Sequence, residues 1–61
     1  MAISKISALI FTRNEAKVLK GFLENIKGVV DEIVVIDGCS TDKTVDIALR
    51  YGATVYQTKP P

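Results

Sequence analysis

Residues Ile33-Val34-Val35-Ile36-Asp37-Gly38-Cys39-Ser40-Thr41-Asp42-Lys43-Thr44 constrain this chain more than any other stretch. Consecutive β-branched apolar residues run into an acidic, glycine-bearing turn, and the turn opens a helix. A strand of Ile and Val alone is buried on both faces, as in a parallel sheet. Open α/β sheets bind their ligands beyond the carboxyl ends of the strands. The segment therefore brings a carboxylate, Asp37, and several small polar side chains to the ligand rim of an α/β fold.

The flanking residues extend the pattern. Ile6 to Thr12 reads as a first strand, and Arg13-Asn14 as the turn after it, with Asn14 a candidate N-cap and Glu15 in the first helical turn. From Ala16 to about Lys27, Leu19, Phe22, Leu23 and Ile26 share one helix face, Lys20 and Glu24 can pair on the other, and Gly28 ends the helix. The second strand runs from about Glu32 to Asp37. Ser40 or Thr41 can cap the next helix, with Asp42 in its first turn and Arg50 in its last. Val45, Ala48 and Leu49 mark its buried face and Gly52 its stop. Ala53 to Thr58 is a third strand, broken off by Pro60-Pro61. The order β-α-β-α-β with short connections is an α/β unit with a parallel sheet, part of one domain with no internal boundary across residues 1–61.

Two strand orders are open. Order 3-2-1 places both helices on one sheet face and leaves the other bare, a large apolar patch of the kind that marks a missing partner. Order 2-1-3 covers both faces thinly. Either way, 61 residues form the front of something larger, because a chain this short buries only about 60% of its unfolded surface.

Composition narrows the function classes. The net charge of +1 gives no basic excess for nucleic acid. There is no histidine, the commonest general base, and the single cysteine, Cys39, cannot close an internal disulfide. Cys39 lies near a helix start, which can lower a thiol pKa, but it has no base partner and reads as a small turn residue. No apolar run approaches the roughly 18 residues of a membrane span, and Met1 to Lys5 lacks a signal-peptide layout; both point to a cytoplasmic protein. Tyr51 and Tyr56 read as packing residues. No Gly-x-Gly-x-x-Gly or Gly-Lys-Ser/Thr occurs, which excludes a dinucleotide or P-loop site. A receiver-like domain is set aside because no acidic pair ends the first strand.

Phe11-Thr12-Arg13-Asn14-Glu15, the strand Asp31 to Asp37, the helix start Ser40-Thr41-Asp42-Lys43-Thr44 and the closing Tyr51-Gly52-Ala53-Thr54-Val55 occur in an order and spacing that resemble the N-terminal segment of family 2 glycosyltransferases. The resemblance spans about residues 4 to 58 and is most specific in Asp-x-x-Ser-Thr-Asp-Lys-Thr. It implies a Rossmann-like GT-A fold, a nucleotide sugar (a UDP-sugar foremost) as donor, and an inverting transfer to a saccharide or lipid-linked acceptor. Within the family the chain looks most like bacterial enzymes of envelope polysaccharide synthesis, placed in the cytoplasm or at the inner face of the membrane.

The resemblance further implies that Thr12, Arg13, Asn14 and Asp37 line the pocket for the base and ribose. Two departures stand out: Gly38 takes the place of a second acid that often contacts the base, and Arg13 replaces a base-stacking tyrosine. A guanidinium can also stack on a base plane. The family's divalent metal, Mn or Mg, is held by an Asp-x-Asp motif, and its general base is a later acid. Neither motif occurs here, so metal and base are expected only in the complete enzyme.

Simpler roles stand beside these. Asp37 can be a turn residue whose carboxylate accepts backbone amides, and Ser40, Thr41 and Asp42 can be helix-start partners alone. The rival to a glycosyltransferase segment is a non-catalytic α/β fragment that acts by self-association through its uncovered sheet face or through a partner.

Overall fold

A computed structural model describes residues 5–59. The elements are β1 (Ser7–Thr12), α1 (Ala16–Ile26), β2 (Glu32–Asp37), α2 (Thr44–Arg50) and β3 (Thr54–Gln57). The strands form one parallel sheet in the order β1-β2-β3, with Thr12 opposite Asp37 and Asp37 opposite Gln57. This is the 3-2-1 arrangement. Successive crossovers run the same way, so both helices lie on one sheet face. The break expected at Pro60 and Pro61 lies outside the described residues.

Burial follows from that layout. Ile33, Val35 and Asp37 alternate onto the helix-covered face of β2, where Leu19 and Leu23 of α1, Ala48 of α2 and Ala53 complete the core. Ile10, Ile26, Val30, Ile47, Tyr51 and Val55 pack around it. On the opposite face Leu9 (59% exposed), Phe11 (69%) and Tyr56 (61%) are open. Tyr56 is therefore not the packing residue that its aromatic character suggested.

The helix ends show how the sequence sets the boundaries. Past α1, Gly28 takes a φ of +83°, and past α2, Gly52 takes +80°, the left-handed backbone that ends a helix most cheaply at glycine. The N-termini differ from their local reading. Glu15, not Asn14, is the N-cap residue of α1 and gives no side-chain cap, while Asn14 has a φ of +49° and turns elsewhere. Neither Ser40 nor Thr41 caps α2. Asp42 lies before the helix and accepts the amide of Thr44 at 2.9 Å.

Two expected contacts shift within the helices. In α2, Thr44 and Ala48 are fully buried and Ile47 packs on the core, so Leu49 is left 56% exposed. Seven residues make only two turns, and the stripe one residue either side of Ala48 is decided by where the sheet lies. On α1, Glu24 pairs with Lys27 at 2.9 Å instead of Lys20. The Tyr51 hydroxyl also donates to Glu24, and the Lys27 ammonium sits 5.9 Å from the Tyr51 ring, which ties α1 to the end of α2.

Removing a fully enclosed side chain tests this packing. Leu23→Ala should cost about 2–5 kcal/mol, against about 0.5 kcal/mol for Leu49→Ala. Urea unfolding of the two variants measures the difference, and similar losses would mean that α2 presents a different face to the sheet.

Candidate functional site

Parallel strands end together, so the carboxyl ends of β1 and β2 meet at one rim. Thr12 is 5% exposed and Asp37 is fully buried, both on the helix-covered side. The Thr12 hydroxyl donates to Asp37 Oδ1 at 2.7 Å. The Ser40 hydroxyl donates to the same oxygen at 2.5 Å, and the Ser40 amide to Oδ2 at 2.8 Å. Gln57 Nε2 stands 3.5 Å from Oδ2. The backbone joins in: Gly38 N–H donates to Thr12 O, and Thr58 N–H to Asp37 O, both at 2.8 Å. Burial pushes the Asp37 carboxyl up, but the hydrogen bonds from Ser40, then Thr12 and Gln57, outweigh it and hold the group below its ordinary value.

Above this buried layer, the β1–α1 and β2–α2 loops are stitched to each other. The side-chain oxygen of Asn14 accepts the amides of Thr41 at 2.7 Å and Asp42 at 3.3 Å. In return, Ser40 Oγ accepts the Asn14 amide at 2.8 Å, Thr44 Oγ1 the Glu15 amide at 3.0 Å, and Asp42 Oδ2 the Ala16 amide at 3.2 Å. Free amides at the start of α1 are thus satisfied by side chains of the other loop. The Asp42 carboxyl is held low chiefly by the Thr44 hydroxyl, against a smaller upward push from burial, with amide donors of Thr44 and Ala16 adding to the lowering.

The structure thus brings the four sequence-predicted site residues to one rim but at two depths. Thr12 and Asp37 lie beneath, bonded to each other. Arg13 and Asn14 are exposed, and the Asn14 side-chain oxygen is turned to the neighbouring loop. Ser40, Thr41 and Asp42, expected as helix-start partners, join the two loops, Asp42 while also accepting the Thr44 amide, and Thr44 joins with them. Cys39 has a φ of +58° and its thiol donates to Thr58 O.

Two surface grooves touch the rim residues. One of about 510 Å³ is lined in part by Asn14, Glu15, Val18 and Asp42. Another of about 190 Å³ includes Thr12 with Ile10, Leu19 and Phe22. A groove of about 450 Å³ between the helices, lined by Lys20, Glu24, Lys43, Arg50 and Tyr51 among others, contains no strand-end residue. Among the described residues, no group of three acidic, cysteine or histidine side chains comes together.

The lowered carboxyls give a pH signature. A folded-state pKa below the ordinary 3.8 stabilises the fold fully above that value, and the contribution is lost as the pH falls through the lower folded-state value. Asp37→Asn should cost about 2 kcal/mol at neutral pH. That cost should shrink as the pH drops below about 4. Urea unfolding at several pH values checks this; an undiminished cost in acid would mean that charge on Asp37 is irrelevant.

Comparison with known proteins covers this same set of elements. Residues 7–59 match the family model Glycosyl transferase family 2. An uncharacterized glycosyltransferase of Rickettsia felis is 47% identical over 53 residues, covering 87% of this chain and 19% of the relative. One from Rickettsia bellii is 49% identical over 51 residues, covering 84% and 17%. Among solved structures, the glucosyl-3-phosphoglycerate synthase of Mycobacterium tuberculosis in complex with uridine diphosphate aligns with a TM-score of 0.76 at 32% identity, covering 87% of this chain and 21% of that one. The same enzyme with Mn²⁺, UDP-glucose and phosphoglyceric acid aligns with a TM-score of 0.75 at 32% identity, covering 87% and 20%. The chain therefore spans about a fifth of the length of the proteins it matches. Its parallel strands and paired helices are part of the GT-A arrangement of those structures, and the chain belongs to glycosyl transferase family 2.

Proposed function

We propose that these residues supply part of the nucleotide side of a glycosyltransferase site. The complete enzyme would transfer a sugar from a nucleotide sugar, a UDP-sugar foremost, to a saccharide or lipid-linked acceptor with inversion. The observation that carries the reading is the junction of Thr12 and Asp37 at the carboxyl edge of the sheet, with Arg13 and Asn14 exposed above it. Support comes from the family and from the likeness of this unit to a structure holding UDP.

In this reading the exposed rim meets the base and ribose. Thr12 and Asp37 act from beneath, because a carboxylate already receiving Thr12 and Ser40 holds the rim loops where the nucleotide needs them. An inverting displacement also needs a carboxylate to take the acceptor proton and a cation to stabilise the leaving diphosphate. The described residues do not come together as such a set, and in this proposal both belong to other residues of the complete enzyme. The likeness to a structure with Mn²⁺ and UDP-glucose, of which these residues cover 20%, supports the use of a divalent metal by the complete enzyme. A role in bacterial envelope polysaccharide synthesis, in the cytoplasm or at the inner membrane face, completes the proposal. In the described residues no helix is long and apolar enough to cross a membrane.

UDP with Mn²⁺ should raise the melting temperature of the complete protein. Asp37→Ala should weaken UDP binding about ten-fold, equivalent to the loss of roughly 1.4 kcal/mol. Calorimetric titration measures it, with circular dichroism confirming the fold, and an unchanged affinity would remove Asp37 from the site.

The exposure of Leu9, Phe11 and Tyr56 favours a second reading, in which the chain by itself associates through its bare sheet face. Sedimentation of the isolated chain should then show concentration-dependent mass, abolished by Phe11→Glu. A monomer at all concentrations would dismiss this reading.

A further inference from the structure

The charges of this chain are sorted in space although its net charge is only +1. Asp31 and Glu32 accept the Ile6 amide and the Ser7 hydroxyl at the start of the sheet. Asp37 and Asp42 are taken up by the rim. The two helices and their N-cap residues carry five of the eight cations, Lys17, Lys20, Lys27, Lys43 and Arg50, against Glu15, Glu24 and Asp46. The helix layer therefore holds a cation excess that the whole-chain charge conceals.

Part of that excess lines the groove of about 450 Å³ between α1 and α2. Lys20 reaches it from α1, Lys43 and Arg50 from the two ends of α2, and half-buried Ile47 and Tyr51 complete its wall. Among the described residues the ion pair present is Lys27 with Glu24, so Lys20, Lys43 and Arg50 enter none. Glu24 stands four residues from Lys20, the spacing of a helical ion pair. It is drawn off instead by the Tyr51 hydroxyl and by Lys27, which also hold its carboxyl below the ordinary value. The groove is left with three unpaired cations and one unpaired acid, Asp46.

We propose that this groove binds a phosphate ester at a site separate from the strand-end rim. Lysine offers a point charge and arginine a planar fork of donors, and both suit phosphate oxygens. Ile47 and Tyr51 give the organic part of the ester an apolar and aromatic wall. The volume falls within the range of small-molecule sites, about 300–1,000 Å³. The phosphate belongs to a free metabolite or to a lipid headgroup, which present the same oxygens. No strand-end residue lines the groove, so the site stands whether or not the rim binds a nucleotide.

Calorimetric titration of the complete protein with glycerol 3-phosphate tests the free ester. Sedimentation with vesicles of phosphatidylcholine and phosphatidic acid in equal parts, against phosphatidylcholine alone, tests the headgroup. Binding should weaken as salt is raised. Lys20→Gln, Lys43→Gln and Arg50→Gln should each weaken it about five-fold, the loss of one charged hydrogen bond at an exposed site. Asp46→Asn removes the unpaired acid and should tighten binding about two-fold. Lys5→Gln, outside the groove, should leave it unchanged, and thermal melts confirm that each variant folds. Saturable binding of glycerol 3-phosphate that follows this pattern assigns the site to a free ester. Binding to the acidic vesicles alone, with the same pattern, assigns it to a headgroup, and either result sustains the proposal. Absence of both, or binding that the three glutamine variants in the groove leave unchanged, overturns it.

Discussion

A carboxylate withdrawn from water at the end of a strand is tolerated only when donors replace the solvent on its oxygens. Asp37 meets that condition with the Thr12 hydroxyl, the Ser40 hydroxyl and the Ser40 amide. Its backbone carbonyl is taken by Thr58 beyond β3. One residue therefore joins the carboxyl ends of all the strands. The rim loops hang from this junction: Ser40 is fixed by Asp37, Asn14 by Ser40, and Arg13 by its place between Thr12 and Asn14. Partial loss of the network would leave a buried charge short of donors, which is why its members act as a unit.

Element type and order were legible because the local signals agree. A β-branched run, a 3.6-residue apolar period and glycines just past each helix all point the same way. The loop contacts were not legible, for a reason of range. Helix caps are read over three or four residues, whereas Asn14 and its partners Ser40, Thr41 and Asp42 stand 26 to 28 positions apart. The small polar side chains on each loop satisfy amides on the other. The position of Asp37 at the rim was readable, but its depth was not. Depth depends on which sheet face the helices cover, and that needed the strand order; given it, Asp37 shares the parity of buried Ile33 and Val35.

The all-apolar strand β2 carries one more lesson. A run of Ile and Val reads as buried twice over, yet these helices cover one side and leave Val34 and Ile36 half-buried. Leu9 and Phe11 on β1 share that open side, opposite Val34 and Ile36 in the register. Alternation is absent because the pattern suits a strand enclosed on both faces. Sequence pattern thus records an enclosure larger than these elements themselves provide.

The mutual stitching of the two loops also bears on how such a chain can change length. Each loop supplies acceptors for amides of the other at spacings set by both backbones. One inserted residue shifts everything after it by up to about 3.8 Å, further than a hydrogen bond can stretch. Loops are ordinarily where insertions and deletions accumulate. Here both connections are gauged against each other, so lengthening either would strip partners from the two at once, and the rim would accept an exchange of side chains more readily than a change of length.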